Sequence, residues 1–384
     1  MDAIAHGCLT TDLVCLSHLR WDFVYQRPQH LMARFAKYRR VFYFEEPLYE
    51  TIDTPRMTVT RREDNLYVVV PSLPWGISPE EAIPIQHRML RRLIADFSID
   101  SPTFWYYTAM AIEFTRDFGP ERVIYDCMDE LAAFRGAPPE LLANERELLE
   151  RADHVFTGGY SLYEAKVGLH SSVHAFPSSI DAEHFGTARS SLPEPADERG
   201  LGSPRLGFYG VIDERADLDL VRDVSGMRPD WEFVMVGPVA KLDPDLLPRA
   251  GNIHYLGLKT YAELPAHLAH WDVAMMPFAL NESTRFISPT KTPEYLAAGK
   301  PVVSTAIRDV VRPYGDERLV HIVGTAEEFV AAAEQAMHEQ VNDPGWLDRV
   351  DRFLAHSSWD QTWFQMAQVE KSAVPVAASR SLTA

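Results

Sequence analysis

The sequence predicts an α/β protein with two successive domains, each a parallel sheet covered by helices on both faces. The chain has 384 residues, which suits two domains of roughly 150–200 residues better than one. Short apolar runs alternate with segments of helical period in both halves, and this alternation is typical of doubly wound parallel sheets. Residues 181–204 interrupt the pattern with a polar segment rich in Pro, Ser, Glu and Gly, which we interpret as a linker.

Apolar runs predict the strands of a first domain, residues 1–180, and of a second, residues 205–356. The first set covers 13–17, 41–44, 67–70, 103–107, 123–126, 154–157 and 173–176, and the second covers 206–209, 233–236, 253–256, 273–277, 302–304 and 319–322. Helical periods predict helices at 28–38, 84–97, 140–151, 161–167, 218–224, 261–270, 292–298, 326–338 and 346–356, with a last helix inside 357–372. Ligands of such sheets bind at the carboxyl ends of the strands, so the strand-to-helix loops are the expected place for a site.

Composition and charge exclude several classes of protein. The hydrophobic content of 46% is that of a globular protein with full cores. No stretch approaches the roughly 20 apolar residues that cross a bilayer. The start, Met1-Asp2-Ala3, has no basic segment before an apolar run, so we expect no signal peptide. A formal charge of −18 argues against nucleic acid as a partner.

The cysteines indicate a reducing compartment. Cys8, Cys15 and Cys127 are odd in number, and none belongs to a Cys-x-x-Cys pair. This predicts neither a disulfide framework nor a zinc site. We therefore expect a cytoplasmic protein, in which contact with a membrane would be peripheral.

The segment from Ser288 to Val303 carries the strongest chemical signal. A loop leads into a helix near Thr292, and Gly299 is suited to end that helix. The start of a helix offers unpaired backbone N–H groups and a partial positive charge, which together attract anions. Ser288, Thr290 and Lys291 add hydroxyl and ammonium donors at the same place, which points to a diphosphate.

Two further residues extend this candidate site. The carboxylate of Glu294, in the first helical turn, would accept hydrogen bonds from neighbouring ribose hydroxyls. In the alternative interpretation, Glu294 only complements the helix dipole and Lys291 is solvated. Gly210 ends the first strand of the second domain and permits close approach of its backbone to a ligand. Arg215 follows in the same loop, where a cation for the diphosphate and a surface ion pair are equally open interpretations.

These motifs resemble the group-one glycosyltransferases, the retaining enzymes of family four. Glu294 and the following Tyr-Leu-Ala-Ala-Gly-Lys-Pro-Val-Val match the second half of the family signature, whereas Phe286 stands where the family has its first glutamate. The resemblance implies a GT-B fold, in which two Rossmann-like domains face each other across a cleft and the C-terminal helix crosses back to the N-domain. It also implies that Glu294 binds the donor ribose, that Gly237 belongs to the second donor loop and that Leu258 meets the base.

The loop after the first strand supplies the candidate acceptor residues. Its Trp…Gln-Arg-Pro-Gln-His pattern resembles a bacterial exopolysaccharide and teichuronic-acid subgroup of the same family. Trp21 and Tyr25 are candidates for stacking on a sugar, although packing beneath the loop is an equal alternative. Arg20 and Arg27 are candidates for holding a phosphate. Tyr107, at the end of a neighbouring strand, is a further acceptor candidate.

Catalytic candidates come from both domains. Asp126 ends a predicted strand and is the candidate general base or orienting carboxylate. Family members place a histidine after an N-domain strand, the corresponding stretch here (104–110) has none, and His18 and His30 of the first loop are the alternatives. Arg215 and Lys291 would stabilise the departing diphosphate.

A basic helical face raises the question of membrane contact. Arg88, Arg91 and Arg92 share one face of the helix predicted at 84–97. Together with Arg61 and Arg62 they would approach lipid headgroups. A solvated helical face is the favoured alternative.

The predicted activity is transfer of a sugar from a nucleotide-diphosphate donor, with UDP expected, to a saccharide or lipid-linked acceptor. The resemblance implies retention of configuration. We expect no bound metal and no other cofactor, because no Asp-x-Asp flanked by apolar residues ends a strand. Two alternatives stay open: a degenerate protein that binds a nucleotide sugar without catalysis, and a GT-B-fold epimerase of nucleotide sugars.

Overall fold

The chain folds into two compact units. A computed structural model describes residues 11–343 and 345–373, so Cys8 and the Met1-Asp2-Ala3 start lie outside the described residues. One unit ends at Pro177 and also includes the chain from Trp363 onward, and the other is Ser178–Thr362. Cys15 and Cys127 are buried free thiols. No helix in the described part is long and apolar enough to cross a membrane.

The first unit is built on a mostly parallel sheet with nine strands among the described residues. The strands are β1 (Leu13–Ser17), β2 (Val41–Glu45), β3 (Leu48–Glu50), β4 (Arg56–Glu63), β5 (Leu66–Pro74), β6 (Thr103–Tyr106), β7 (Arg122–Cys127), β8 (His154–Thr157) and β9 (Val173–Ala175). The helices are α1 (Arg27–Ala36), α2 (Pro79–Asp96), α3 (Ile112–Thr115), α4 (Leu141–Arg151) and α5 (Tyr160–Lys166). The order is β3-β5-β2-β1-β6-β7-β8-β9, and β4 pairs antiparallel with β5.

The second unit has a fully parallel sheet. Its strands are β10 (Arg205–Tyr209), β11 (Glu232–Val236), β12 (Ile253–Gly257), β13 (Val273–Met276), β14 (Val302–Thr305) and β15 (Val320–Val323). Its helices are α6 (Ala182–Gly186), α7 (Leu218–Met227), α8 (Leu264–Ala269), α9 (Lys291–Ala297), α10 (Arg308–Val310), α11 (Ala326–Asn342) and α12 (Trp346–Leu354). A last helix, α13 (Trp359–Lys371), contributes residues to both units. The order is β12-β11-β10-β13-β14-β15.

Both sheets reverse their order of winding next to their first strand. The reversal lies between β1 and β6 in the first unit and between β10 and β13 in the second. In doubly wound sheets, the loops at the carboxyl ends on either side of such a point form the ligand site. The fold therefore directs attention to the loops that follow β1 and β6, and to those that follow β10 and β13.

Several elements differ from their predictions for identifiable reasons. The strands β3 and β4 were not predicted, because Arg56–Glu63 is polar and largely exposed at the edge of the sheet. The helix α2 begins at Pro79, not at residue 84, because Ser78 forms a capping box with Glu81. Pro84 lies inside this helix, although proline is unfavourable there.

The segment predicted as a linker, 181–204, is a folded part of the second unit. Phe185 and Ala188, near its start, belong to that unit's hydrophobic core. Glu198 is completely buried and lies 2.5 Å from Nδ1 of His267, and it accepts a hydrogen bond from the indole of Trp271. The apolar residues of this segment follow no helical or strand period, so its polar composition concealed the buried contacts.

The last helix is attached to the first unit by a buried ion pair. Glu370 accepts from both terminal nitrogens of Arg39, at 2.7 and 2.8 Å, and from the hydroxyl of Thr103 at 2.9 Å. Both charged side chains are almost fully buried. The ring of Trp363 stacks on Tyr38 with a centroid separation of 4.9 Å. The helix is therefore a structural element of the first unit, held there by charge and by aromatic packing.

Removing one partner of this ion pair should destabilise the first unit. In Glu370→Ala the guanidinium of Arg39 stays buried without its carboxylate, which should lower the free energy of unfolding by about 3–5 kcal/mol. Urea denaturation followed by circular dichroism measures the change. Gln365→Ala, an exposed change on the same helix, should stay within about 0.5 kcal/mol of the unmodified chain. A loss below roughly 1 kcal/mol in Glu370→Ala would show that the pair does not hold the helix.

Candidate functional site

Two glycines bring the ends of β10 and β11 unusually close together. Gly210 and Gly237 directly follow these strands and have φ angles of 141° and 135°. A Cβ added to Gly237 would lie 1.9 Å from the carbonyl oxygen of Gly210. The loops continue the parallel pairing beyond the strands, since the N–H of Ile212 donates to the carbonyl of Pro238 at 2.9 Å. No other residue type would fit at Gly237 without separating the two loops.

The side chain of Lys291 lies against the end of β10. A Cβ added to Gly210 would lie 2.3 Å from Cε and 2.8 Å from Nζ of this lysine. The ammonium is 5.6 Å from the ring centroid of Phe208 and 5.7 Å from that of Phe278. The structure thus brings together Gly210, Gly237 and Lys291, which the sequence predicted to share a donor site.

The helix α9 begins one residue earlier than predicted and is short. Thr290 is its N-cap and Lys291 its first residue, and the helix has seven residues. Pro293 is the third of them and has no N–H, so the backbone N–H groups at the start of the helix are those of Lys291 and Thr292. The carbonyl of Ser288 accepts a hydrogen bond from the hydroxyl of Ser178 at 2.7 Å, which fixes the loop before the helix. Ser288, Thr290 and Lys291 are half-buried and adjoin this first turn.

Glu294 is buried behind this first turn and bonded to a residue that the sequence did not single out. The hydroxyl of Tyr209 donates a short hydrogen bond to the Glu294 carboxylate. The hydroxyl of Tyr295 accepts from the N–H of Tyr209 at 3.0 Å. Burial raises the pKa of Glu294 to about 7, against the lowering effects of the Tyr209 bond and of Lys291. The only signal for Tyr209 was its position next to Gly210.

The remaining donor candidates lie near the same edge of the sheet. The carbonyl of Gly257 accepts from the N–H of Gly237 at 2.8 Å, so Leu258, the next residue, is beside the second loop and is 51% exposed. Arg215 forms an ion pair with the carboxylate of Asp213, with its closest contact at 2.7 Å. The contact with Asp213 agrees with the interpretation of Arg215 as part of an ion pair. The role of Arg215 toward a diphosphate stays a prediction.

In the first unit, Arg27 and Asp126 are partners of each other. Nε of Arg27 donates to both carboxylate oxygens of Asp126 at 3.1 Å, and its Nη2 donates to one of them at 2.8 Å. Nη1 donates to the carbonyl of Phe176 at 2.7 Å. Both side chains are buried. This corrects two predictions: Asp126 is buried in the ion pair and not exposed to an acceptor as a general base, and Arg27 is buried in the same pair and not exposed to a phosphate.

The other acceptor candidates are largely occupied by neighbours. Arg20 donates to the carboxylate of Glu45 at 3.0 Å and to two backbone carbonyls, so the predicted phosphate contact is not supported. The ring of Trp21 packs edge-on against Tyr43 with centroids 5.1 Å apart, which is the packing alternative. Tyr107 is completely buried and cannot contact an acceptor, and burial, then Asp126, raises the pKa of its phenol.

Two candidates of the first loop stay predictions. Tyr25 is 39% exposed and packs edge-on against His30 with centroids 4.7 Å apart. His18 directly follows β1 and is half-buried. Their placement at the carboxyl end of β1 is that of a ligand-binding loop.

Four of the five surface arginines considered for membrane contact have partners of their own. Arg61, Arg62 and Arg92 form ion pairs with Asp64, Asp22 and Asp96 respectively. Arg91 donates to His87 at 2.8 Å. This geometry supports the solvated alternative.

A pocket that the sequence did not predict opens at the carboxyl edge of the first sheet. Its volume is about 230 Å³. Ser17 and Glu45, the last residues of β1 and β2, line it together with Thr108, which follows β6. Ile83 of α2 closes another side. These residues are far apart in the chain, so no local pattern could have grouped them.

A comparison with protein families finds a family that matches most of the second unit. The family described as "Glycosyl transferases group 1" matches residues 203–358. These residues are a group-1 glycosyltransferase domain. For these residues the match agrees with the predicted resemblance to the group-one glycosyltransferases. This glycosyltransferase domain contains Gly210, Gly237, Lys291 and Glu294, and the matched range covers most of the second unit.

A relative from Bacillus subtilis (strain 168) extends the likeness. The chain is 27% identical over 237 residues to TuaH, which is named as a glycosyltransferase of teichuronic acid biosynthesis. The match covers 56% of this chain and 59% of TuaH, so the chain spans about six tenths of the length of that relative.

Solved structures show the fold of the described chain. Sucrose-phosphate synthase from Thermosynechococcus elongatus is similar with a TM-score of 0.66 and 17% identity, over 94% of this chain and 98% of that one. A UDP-forming α,α-trehalose-phosphate synthase from Burkholderia xenovorans, in complex with glucose-6-phosphate, is similar with a TM-score of 0.66 and 12% identity. This match covers 94% of this chain and 100% of that one. Both have the GT-B fold, and the predicted fold class is confirmed.

The buried carboxyl of Glu294 should make stability depend on pH. Its pKa in the folded chain is about 7, against 4.5 for an ordinary glutamate. Because the folded value is the higher one, its contribution to stability is fully present below pH 4.5 and is lost as the pH rises through 7. The side chain in Glu294→Gln does not ionise, so the variant does not lose this stability as the pH rises. The free energy of unfolding of the variant, compared with that of the unmodified chain, should therefore be more favourable at pH 8 than at pH 5 by about 3 kcal/mol.

Thermal denaturation at both pH values measures this difference. Glu317→Gln, an exposed change in the same unit, is the control and should follow the unmodified chain at both values. Parallel pH profiles of Glu294→Gln and the unmodified chain would mean that Glu294 ionises normally.

Proposed function

We propose that the chain transfers a sugar from a nucleotide-diphosphate donor, a UDP-sugar, which the second unit binds. The observation that carries this proposal is the convergence of Gly210, Gly237 and Lys291 at the carboxyl edge of the second sheet, beside the buried Glu294. The glycines allow the two strand ends and the Lys291 side chain to pack this closely, and the lysine supplies a positive charge for an anion at the strand ends. The family of residues 203–358 supports the same activity.

The proposed chemistry needs charge stabilisation more than it needs a base. As the bond from the sugar to the diphosphate breaks, negative charge accumulates on the leaving group. Lys291 and the first-turn N–H groups of α9 would stabilise that charge. Glu294, when ionised, would accept hydrogen bonds from the ribose hydroxyls and so orient the donor. Retention of configuration and transfer without a metal are part of the proposal.

The first unit would hold the acceptor, a saccharide or a lipid-linked saccharide. The pocket beside β1 and β2 lies at the carboxyl edge where the winding of the first sheet reverses, which is the expected ligand position. His18 and Tyr25 stand in the loop at that edge. TuaH, named for teichuronic acid biosynthesis, supports an acceptor from a cell-surface polymer.

A second candidate is a protein that binds a nucleotide sugar without transferring the sugar. The ion pair of Arg215 with Asp213 favours it, because this cation is compensated within its own loop. Release of UDP from a UDP-sugar by the purified chain separates the two candidates, since a binding protein releases none.

Removal of the Lys291 ammonium should weaken UDP binding at least tenfold. Lys291→Ala takes away the positive charge beside Gly210, and a tenfold loss corresponds to about 1.4 kcal/mol. Isothermal titration with UDP measures the affinity. Arg352→Ala removes an exposed cation from α12 of the same unit and should leave the affinity unchanged. Equal affinities for Lys291→Ala and the unmodified chain would overturn the assignment of the donor site.

Release of UDP should not require a divalent metal. The proposed stabilisation of the leaving group comes from Lys291 and from backbone N–H groups, which a chelator does not affect. The rate of UDP release should therefore stay within about twofold after treatment with EDTA. Added Mg²⁺ is the control, and a rate that falls with EDTA and returns with Mg²⁺ would contradict a metal-independent reaction.

A further inference from the structure

We infer that the pocket of the first unit binds an uncharged, apolar part of the acceptor, an alkyl or aryl group, and not a phosphate or a sugar. The inference rests on the proposed function, because it takes this pocket as the acceptor site. It narrows the substrate class to acceptors that carry such an apolar group next to the accepting saccharide.

The walls of the pocket are mainly hydrocarbon. Leu16 and Phe44 come from β1 and β2, Ile83 from α2, and Met110 and Phe114 from the segment after β6. Transfer of an apolar group from water into such surroundings is favourable, and the gain grows with each CH₂ that is buried. A hydroxyl-rich sugar ring would instead leave hydrogen-bonding groups without partners against these walls, which is costly.

The polar groups of the pocket are acidic or already bonded. Glu45 is 5% exposed and accepts from Arg20 at 3.0 Å and from the N–H of Trp21 at 2.8 Å. Glu113 accepts from Asn144 at 3.1 Å. The residues that line the pocket include no lysine, arginine or histidine. A phosphate here would face the carboxylates of Glu46 and Glu113, while the adjacent Arg20 is already paired with Glu45, so the charge of the walls selects against anions.

An aromatic rim extends the apolar surface out of the pocket. Tyr49 lines the pocket and is 37% exposed, and the ring of Trp75, 70% exposed, lies 6.1 Å from it between centroids. Exposed Trp and Tyr rings commonly contact elongated apolar ligands. The volume of about 230 Å³ is below the roughly 300–1,000 Å³ typical of a complete ligand site. The pocket therefore fits the inner part of an apolar group whose outer part would cross the two rings.

Titration of the full chain with alkyl glucosides tests this inference. The probes are n-hexyl and n-octyl β-D-glucoside, both below their critical micelle concentrations, and glucose 6-phosphate. Two additional buried methylenes should increase the affinity roughly tenfold. Glucose 6-phosphate should neither bind in the pocket nor displace the octyl compound. Equal affinities of the two glucosides, or displacement by glucose 6-phosphate, would overturn the inference.

Substitutions in α2 test whether the dependence of affinity on alkyl chain length arises in this pocket. Ile83→Asp places a charge in the pocket and should abolish the dependence on chain length, and Ile83→Ser is the milder variant if the first does not fold. Ile85→Asp is the matched control, because Ile85 is similarly half-buried on the same helix but does not line the pocket. The control should retain the tenfold difference. A difference retained in both Ile83 variants would also overturn the inference.

Titration of the same samples with UDP distinguishes the two proposals. UDP binding without a dependence on alkyl chain length contradicts the apolar pocket and leaves the proposed transferase function standing. A dependence on chain length without any UDP binding contradicts the proposed function instead. Both properties together, with UDP binding unchanged in Ile83→Asp, are the expected result.

Discussion

The proposed donor site of the second unit depends on how closely three pieces of chain can approach at the carboxyl edge of its sheet. The carbonyl of Gly210 occupies the space that a side chain at residue 237 would need. The Lys291 side chain occupies the space that a side chain at residue 210 would need. Both glycines have φ angles that other residues adopt rarely. The packing therefore fixes the lysine over the strand end, where the loops meet and where a ligand of such a sheet binds.

A buried carboxylate at the same place has an electrostatic cost, which its neighbours partly offset. Burial alone would favour the protonated form of Glu294 strongly, whereas the hydroxyl of Tyr209 and the ammonium of Lys291 favour the ionised form. The resulting pKa of about 7 leaves both forms populated near neutral pH. Such a group contributes less to folding than an apolar residue of the same size would. A buried carboxyl with a raised pKa is therefore a candidate for a functional site.

Much of the fold was predictable because buried strands have a simple local signature. The strands at 13–17 and 154–157 were predicted with the observed bounds, since every residue of each is buried. The edge strand Arg56–Glu63 was not, because its pairing depends on β5 and its own residues are polar. The bond of Tyr209 with Glu294 joins residues 85 positions apart, and that of Arg27 with Asp126 joins residues 99 apart. Local patterns predict where a residue lies along a strand or loop, but they do not predict which distant partner neutralises it.

The side chains that surround each candidate site, which local patterns do not predict, bear on the ligand that we propose for each unit. Both units have the same kind of reversal next to their first strand, so the fold gives each a ligand position at the corresponding edge. In the first unit Arg20, in the loop after β1, is compensated by Glu45, and Arg27, at the start of α1, is compensated by Asp126; the pocket at the same edge is acidic and apolar. In the second unit the ammonium of Lys291 lies near aromatic rings and glycine backbone and favours the ionised form of Glu294. The position of a site thus follows from topology, whereas its ligand class depends on the charged and apolar side chains that surround it.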